Sequence, residues 1–140
     1  MQNFPFLQQI VQENTPSAKE YEKLKKTIGE VLQKLQKTLR SKKYIAEVML
    51  GGSAAKGTFL KHEFDCDVFI RFSQKHHKQN LSDLLEKILK TLNAQVVRVH
   101  GSRDYFKTMY QKIKFEFIPV LKVSTPAQAR NVTDMSPLHV

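Results

Sequence analysis

The sequence predicts an α+β fold: a mixed or largely antiparallel sheet of about five strands, with helices mainly on one face. Three observations carry this. The hydrophobic periodicities run helix, helix, strand, strand, helix, then three strands, so a strictly alternating parallel fold does not fit. Only Gln111-Lys112 separates the last two strand-like runs, the spacing of an antiparallel hairpin. And 140 residues with 41% hydrophobic content suit one domain, residues 1–140, around a single core.

Taken in order, residues 2–12 read as a short helix with Phe6, Leu7, Ile10 and Val11 on one side. Thr15-Pro16 marks a helix start, a hydroxyl at the cap and proline in the first turn. From there Tyr21, Leu24, Ile28, Val31, Leu32, Leu35 and Leu39 repeat at helical spacing. Lys19, Lys23, Lys25, Lys26, Lys34 and Lys37 fall on the other side, a solvated basic face. Ile45–Leu50 reads as a buried strand ending at Gly51-Gly52, and Asp67–Phe72 as a second. The intervening polar stretch SQKHHKQN reads as a loop with exposed His76 and His77, since no cysteine or acidic cluster accompanies them.

Asn80 caps the next helix, whose apolar stripe is Leu81, Leu84, Leu85, Ile88, Leu89 and Leu92. Ala94–Val99, Tyr105–Tyr110 and Lys112–Val123 complete the strands. The polar tail reads as a loop with one helical turn near Pro126 to Arg130.

Bulk properties narrow the function. Twenty-three Lys and Arg against thirteen Asp and Glu give +10, which points to a phosphate-bearing partner without choosing among nucleic acid, nucleotide and membrane surface. No apolar run reaches the length of a membrane span. The N-terminus lacks the pattern of a secretory signal. A single cysteine, Cys66, fits a reducing compartment and a cytoplasmic location.

The chemistry concentrates in GGSAAKGTFLKHEFDCDVFIRF, residues 51–72. On a strand, residues i and i+2 share a face, so Asp65 and Asp67 project together while Cys66 turns the other way as a core residue. Two neighbouring carboxylates repel unless a cation sits between them. Hard oxygen ligands suit Mg²⁺ shared with substrate phosphates. The glycines upstream permit close backbone approach, and consecutive N–H groups there can hold phosphate oxygens. Ser53 adds a hydroxyl donor and Lys56 a point charge. A two-metal site needs a third acid from another element. Glu116 is the only acid of the last strand and takes that place if its strand lies beside Asp65 and Asp67. The order Lys56-Gly57-Thr58 is not that of a P-loop.

Strand, GGS, KGT, then DxD on an apolar strand resembles the polymerase beta-like nucleotidyltransferase superfamily. Within it, FEFIPVLKV and TDMSPLHV also resemble segments of the catalytic head of archaeal-type (class I) tRNA CCA-adding enzymes. The likeness runs from residue 45 onward, and the preceding helix also fits the head. It implies that Asp65, Asp67 and Glu116 bind two Mg²⁺ ions, and that Gly52, Ser53, Lys56 and His139 contact the incoming nucleotide. It implies CTP and ATP as substrates, and attack of a tRNA 3′-hydroxyl on the α-phosphate with release of pyrophosphate. Two departures stand out. Glu116 replaces the family's usual Asp, and the chain ends one residue after His139, before the family's nucleotide-selecting and tRNA-gripping domains. A separate chain supplying those domains, a truncated fragment, or a domain acting on another acceptor each account for this.

Two other functions compete: a minimal nucleotidyltransferase of the toxin–antitoxin type acting on a protein or another RNA, and a catalytically silent RNA-binding module. His100, Arg103 and Lys107 are either RNA-phosphate contacts or ordinary basic surface, and Tyr105 and Phe106 either stack a base or pair in the core.

Overall fold

The computed structural model describes residues 18–51, 65–92, 95–123, 130–131 and 134. The expected N-terminal helix 2–12, the Thr15-Pro16 start, most of the expected turn near Pro126, and Gly52, Ser53, Lys56 and His139 lie outside them. The elements are α1 (Ala18–Ser41), β1 (Ala46–Gly51), β2 (Asp65–Phe72), α2 (Leu81–Lys90), β3 (Val97–Val99), β4 (Tyr105–Tyr110) and β5 (Ile113–Leu121). The fold is α+β, and the sheet order is β1-β2-β5-β4-β3. Three of its pairings are antiparallel; β2 and β5 run parallel. The mixed five-stranded sheet is thus as the sequence predicts.

Alternation decides which side of the sheet is buried. Cys66, Val68, Ile70 and Phe72 of β2 and Phe115, Phe117 and Leu121 of β5 point to one face. There they meet Leu24, Ile28, Leu35 and Leu39 of α1 and Leu81, Leu85, Ile88 and Leu89 of α2. Both helices therefore sit on one face, and the residues between the buried ones project from the other.

Local chemistry fixes the ends. α2 starts where Asn80 accepts from the Asp83 N–H, as expected. α1 closes with Tyr44 N–H donating to the Leu39 carbonyl and Lys43 at φ 61°, a left-handed cap built without glycine. The β4–β5 link places Gln111 and Lys112 at φ 49° and 66°, a primed two-residue turn that matches strand twist. Gly51 is buried, and a Cβ there would run into the Phe69 ring, so a larger residue would have to displace that ring.

Three expectations need correction. β2 begins at Asp65, two residues earlier than predicted, so both aspartates lie within the strand. β3 is the short segment Val97–Val99, because among the described residues of the expected strand only these pair with β4. His76 is buried, not exposed. Its Nε2 accepts from the Ile45 N–H and its Nδ1 bonds the Gln79 side chain, while its ring meets Tyr44 and Phe72 edge-on. The loop histidine thereby ties the start of β1 to the end of β2. His77 is exposed, as expected.

Candidate active site

The open face of the sheet carries the carboxylates. In the ladder Asp67 pairs with Glu116, and Asp65 with Lys114. Asp65, Asp67 and Glu116 therefore share one face at the end of the sheet where β1 reaches Gly51, itself the register partner of Asp67. Asp65 is exposed; Asp67 and Glu116 are partly buried.

The electrostatics show how close they are. The Asp67 carboxyl is pushed above its usual range by burial first, then by the charge of Glu116 and a hydrogen bond with it, then by Asp65. Among the described residues no three His, Cys, Asp or Glu side chains are drawn together at the spacing of ligands on a bound ion. The donors nonetheless fit a hard divalent cation. All three are carboxylates on one face, and both the burial that raises Asp67 and the repulsion from Glu116 and Asp65 would be offset by a cation. The sequence placed Glu116 here conditionally, and the parallel β2–β5 pairing meets that condition.

Cys66 faces the core, fully buried. Burial, and then the Asp67 charge, push its thiol up to about 12, so it carries no nucleophilic thiolate. Lys107, the register partner of Glu116 on the far side, brings its Nζ to 3.6 Å from Glu116 Oε1. The other basic candidates are engaged elsewhere: His100 contacts Asp104, and Arg103 pairs with Asp134. Phe106 is core, beneath the Arg98 guanidinium, and offers no stacking platform.

Two clusters escaped the sequence reading. Arg98 joins Asp83 and Glu86 of α2 to Asp104, clasping the helix to the edge strand. Asp134 is buried and accepts from Arg103 and from the N–H groups of Leu121, Arg130 and Asn131. It fastens the segment after β5 to the strand that carries Glu116. A lone Asp in a polar tail gave no local signal for this; only an Arg some thirty positions earlier completes it.

An open sheet face with a DxD strand, a third carboxylate on the neighbouring parallel strand and a glycine-ended strand beside them defines a nucleotidyltransferase-class enzyme domain. The comparisons agree. The chain belongs to the Second Messenger Oligonucleotide or Dinucleotide Synthetase domain family, whose pattern matches residues 1–136. It is 42% identical over 125 residues to a CCA-adding enzyme of Nanoarchaeum equitans, a match covering 89% of this chain and 30% of that enzyme. It is 28% identical over 138 residues to a CCA-adding enzyme of Methanocaldococcus jannaschii, covering 95% and 31%. The chain thus spans about a third of the length of these relatives. The fold is shared with CdnC of E. coli MS115-1, solved with ATP, at TM-score 0.62 and 16% identity over 86% of this chain and 41% of that one. A cytoplasmic RNA terminal U-transferase shares it at TM-score 0.59 and 16% identity over 81% and 33%. Nucleotidyltransferases of this family generally use divalent metals. No helix among the described residues is long and apolar enough to cross a membrane.

Proposed function

We propose that residues 1–140 form one catalytic domain that adds CMP and AMP, from CTP and ATP, to the 3′ end of tRNA. The observation that carries this is the register Gly51–Asp67–Glu116 across three strands, in a chain whose relatives are CCA-adding enzymes.

In this reading Asp65, Asp67 and Glu116 would hold two Mg²⁺ ions. Bound there, the ions would supply Lewis acidity at the attacking hydroxyl and at the leaving oxygens. The chain's own residues do the positioning. Gly52 and Ser53 follow Gly51 in the chain and would offer N–H and hydroxyl donors to the triphosphate, and Lys56 would add a point charge. His139 contacts the nucleotide. The tRNA 3′-oxygen bonds to the α-phosphorus, the bond to the bridging oxygen breaks, pyrophosphate leaves with that electron pair, and the hydroxyl proton passes to solvent. Surfaces that grip tRNA and select the base come from polypeptide outside these 140 residues, in a longer chain or a separate one. The setting is the cytoplasm, where a lone thiol stays reduced.

The family description favours a second reading, in which the acceptor is itself a nucleotide and the product a short oligonucleotide. One experiment covers both. Protein, together with the polypeptide that supplies the tRNA-gripping surfaces, is mixed with Mg²⁺, labelled CTP or ATP, and tRNA lacking its 3′ end. Label on the tRNA supports the first reading. Label in a short oligonucleotide, without tRNA, supports the second. Label on a protein, or none at all, refutes both. Asp65→Ala and Asp67→Ala should each lower transfer by more than about 100-fold, beyond the loss typical of outer-shell partners, with circular dichroism unchanged.

A further inference from the structure

The carboxylate row does not stop at Glu116. Gly51, Asp67, Glu116, Lys107 and Val97 are successive register partners, one from each strand of the sheet. The row beside it runs Asp65, Lys114, Met109. Beside and beyond the carboxylates, the open face thus presents two lysines, Lys114 on β5 and Lys107 on β4, and two apolar side chains, Met109 on β4 and Val97 on β3. Val97 is 66% exposed and Met109 63%, unusual for large apolar residues next to a site. Lys107 lies between the Glu116 carboxylate and the Tyr105 ring. Lys114 is exposed and stands next to Asp65 in the ladder.

We propose that this shelf across β5, β4 and β3, with Lys107 and Lys114 as its cations and Val97 and Met109 as its apolar floor, seats the last nucleotide of a single-stranded nucleic-acid acceptor. The lysines take its terminal phosphodiester. The inference rests on the reading above that the triphosphate lies at the β1 end. In an in-line displacement the attacking and leaving oxygens lie on opposite sides of the transferred phosphorus. With pyrophosphate leaving toward β1, the acceptor hydroxyl arrives over β4. Strands are about 4.8 Å apart, so Lys107 is about 5 Å from the Glu116 strand and about 15 Å from Gly51. That places it beyond the reacting phosphorus, at the acceptor's own backbone. A protein hydroxyl brings no phosphate, so paired cations here select a polyanionic acceptor. The apolar floor suits a sugar edge or base face, which stacks without sequence preference.

The test uses a fluorescent RNA dodecamer ending in a 3′-deoxynucleotide, which binds but cannot be extended. Its affinity is measured by anisotropy across a salt series for three forms: the unaltered protein, Lys107→Met with Lys114→Met, and a charge-matched control, Lys23→Met with Lys26→Met on the outer face of α1. Binding by the shelf variant should weaken about tenfold or more at low salt, and its salt slope should shrink by about 0.7, the value for one phosphate neutralised on a single strand. The control should stay within about twofold at moderate salt, because screening removes charges distant from the contact. Equal affinity of the shelf variant and the unaltered protein overturns the proposal. So do equal losses in both variants, or no binding by the unaltered protein. Turnover with a 3′-hydroxyl acceptor separates the two levels. Shelf-dependent binding without any transfer sinks the transferase reading and leaves the shelf. Transfer with an unchanged acceptor KM in the shelf variant sinks the shelf and leaves the transferase.

Discussion

The metal-holding role proposed for Asp67 opposes stability. Burial and two neighbouring carboxylates hold its proton more tightly than in an unfolded chain. A raised carboxyl binds more protons folded than unfolded, so without divalent ions stability falls as pH rises through the carboxylate range. Asp67→Asn should therefore raise the melting temperature of the metal-free protein at neutral pH, by an amount equivalent to about 0.5–1 kcal/mol, the scale of a like-charge cross-strand pair. The gain should vanish at acid pH, where Asp67 is already neutral. Millimolar Mg²⁺ should raise the melting temperature of the unaltered protein more than that of the variant. Asp134 shows the opposite balance. Burial pushes its carboxyl up, but Arg103 and the Leu121 and Arg130 N–H groups together hold it below the usual range. Its stabilisation is therefore present above the ordinary aspartate range and lost as pH falls through the depressed value. Asp134→Ala strands Arg103 in a nearly enclosed site and should cost about 3–5 kcal/mol in chemical denaturation, the cost of breaking a buried pair.

At the level of elements, the ends that lack glycine are where stability can be gained. Lys43 adopts a left-handed conformation at the close of α1, where a side chain costs about 1–2 kcal/mol relative to an ordinary helical residue. Lys43→Gly should stabilise the protein by about 1 kcal/mol, since glycine is the usual residue of this cap. A shift of the denaturation midpoint to lower denaturant would refute it. These ends also show what local sequence conveys. Leucine spacing made α1 and α2 readable, alternation made β2 and β5 readable, and the short Gln111-Lys112 link foretold the hairpin. The DxD pair and its common face followed from strand geometry alone. Other features depend on partners distant in the chain. The order β1-β2-β5-β4-β3, and the parallel β2–β5 pairing that brings Glu116 to Asp67, arise from long-range packing. His76 looked like loop surface because its acceptor role needs the Ile45 N–H, thirty-one residues earlier. Asp134 needs Arg103 at the same remove.

The whole molecule separates its charge from its chemistry. The chain carries +10, yet Asp65, Asp67 and Glu116 gather on one face of the sheet, while the α1 lysines lie on the outer side of the helical layer, across the core. A distant field and a local contact affect different rate constants. Charges away from a contact speed encounter, and groups within it slow escape. The outer α1 lysines and the shelf lysines should therefore separate kinetically in stopped-flow binding of the 3′-deoxy RNA. Neutralising Lys23 and Lys26 should slow association by about two- to fivefold at 20 mM salt, an effect lost above physiological salt, where the screening length falls below about 8 Å. Dissociation should stay unchanged. Neutralising Lys107 and Lys114 should instead speed dissociation and alter association little. If both pairs changed only the association rate, the basic charge would act as an undifferentiated field, and the sheet row from Gly51 to Val97 would hold no acceptor contact of its own.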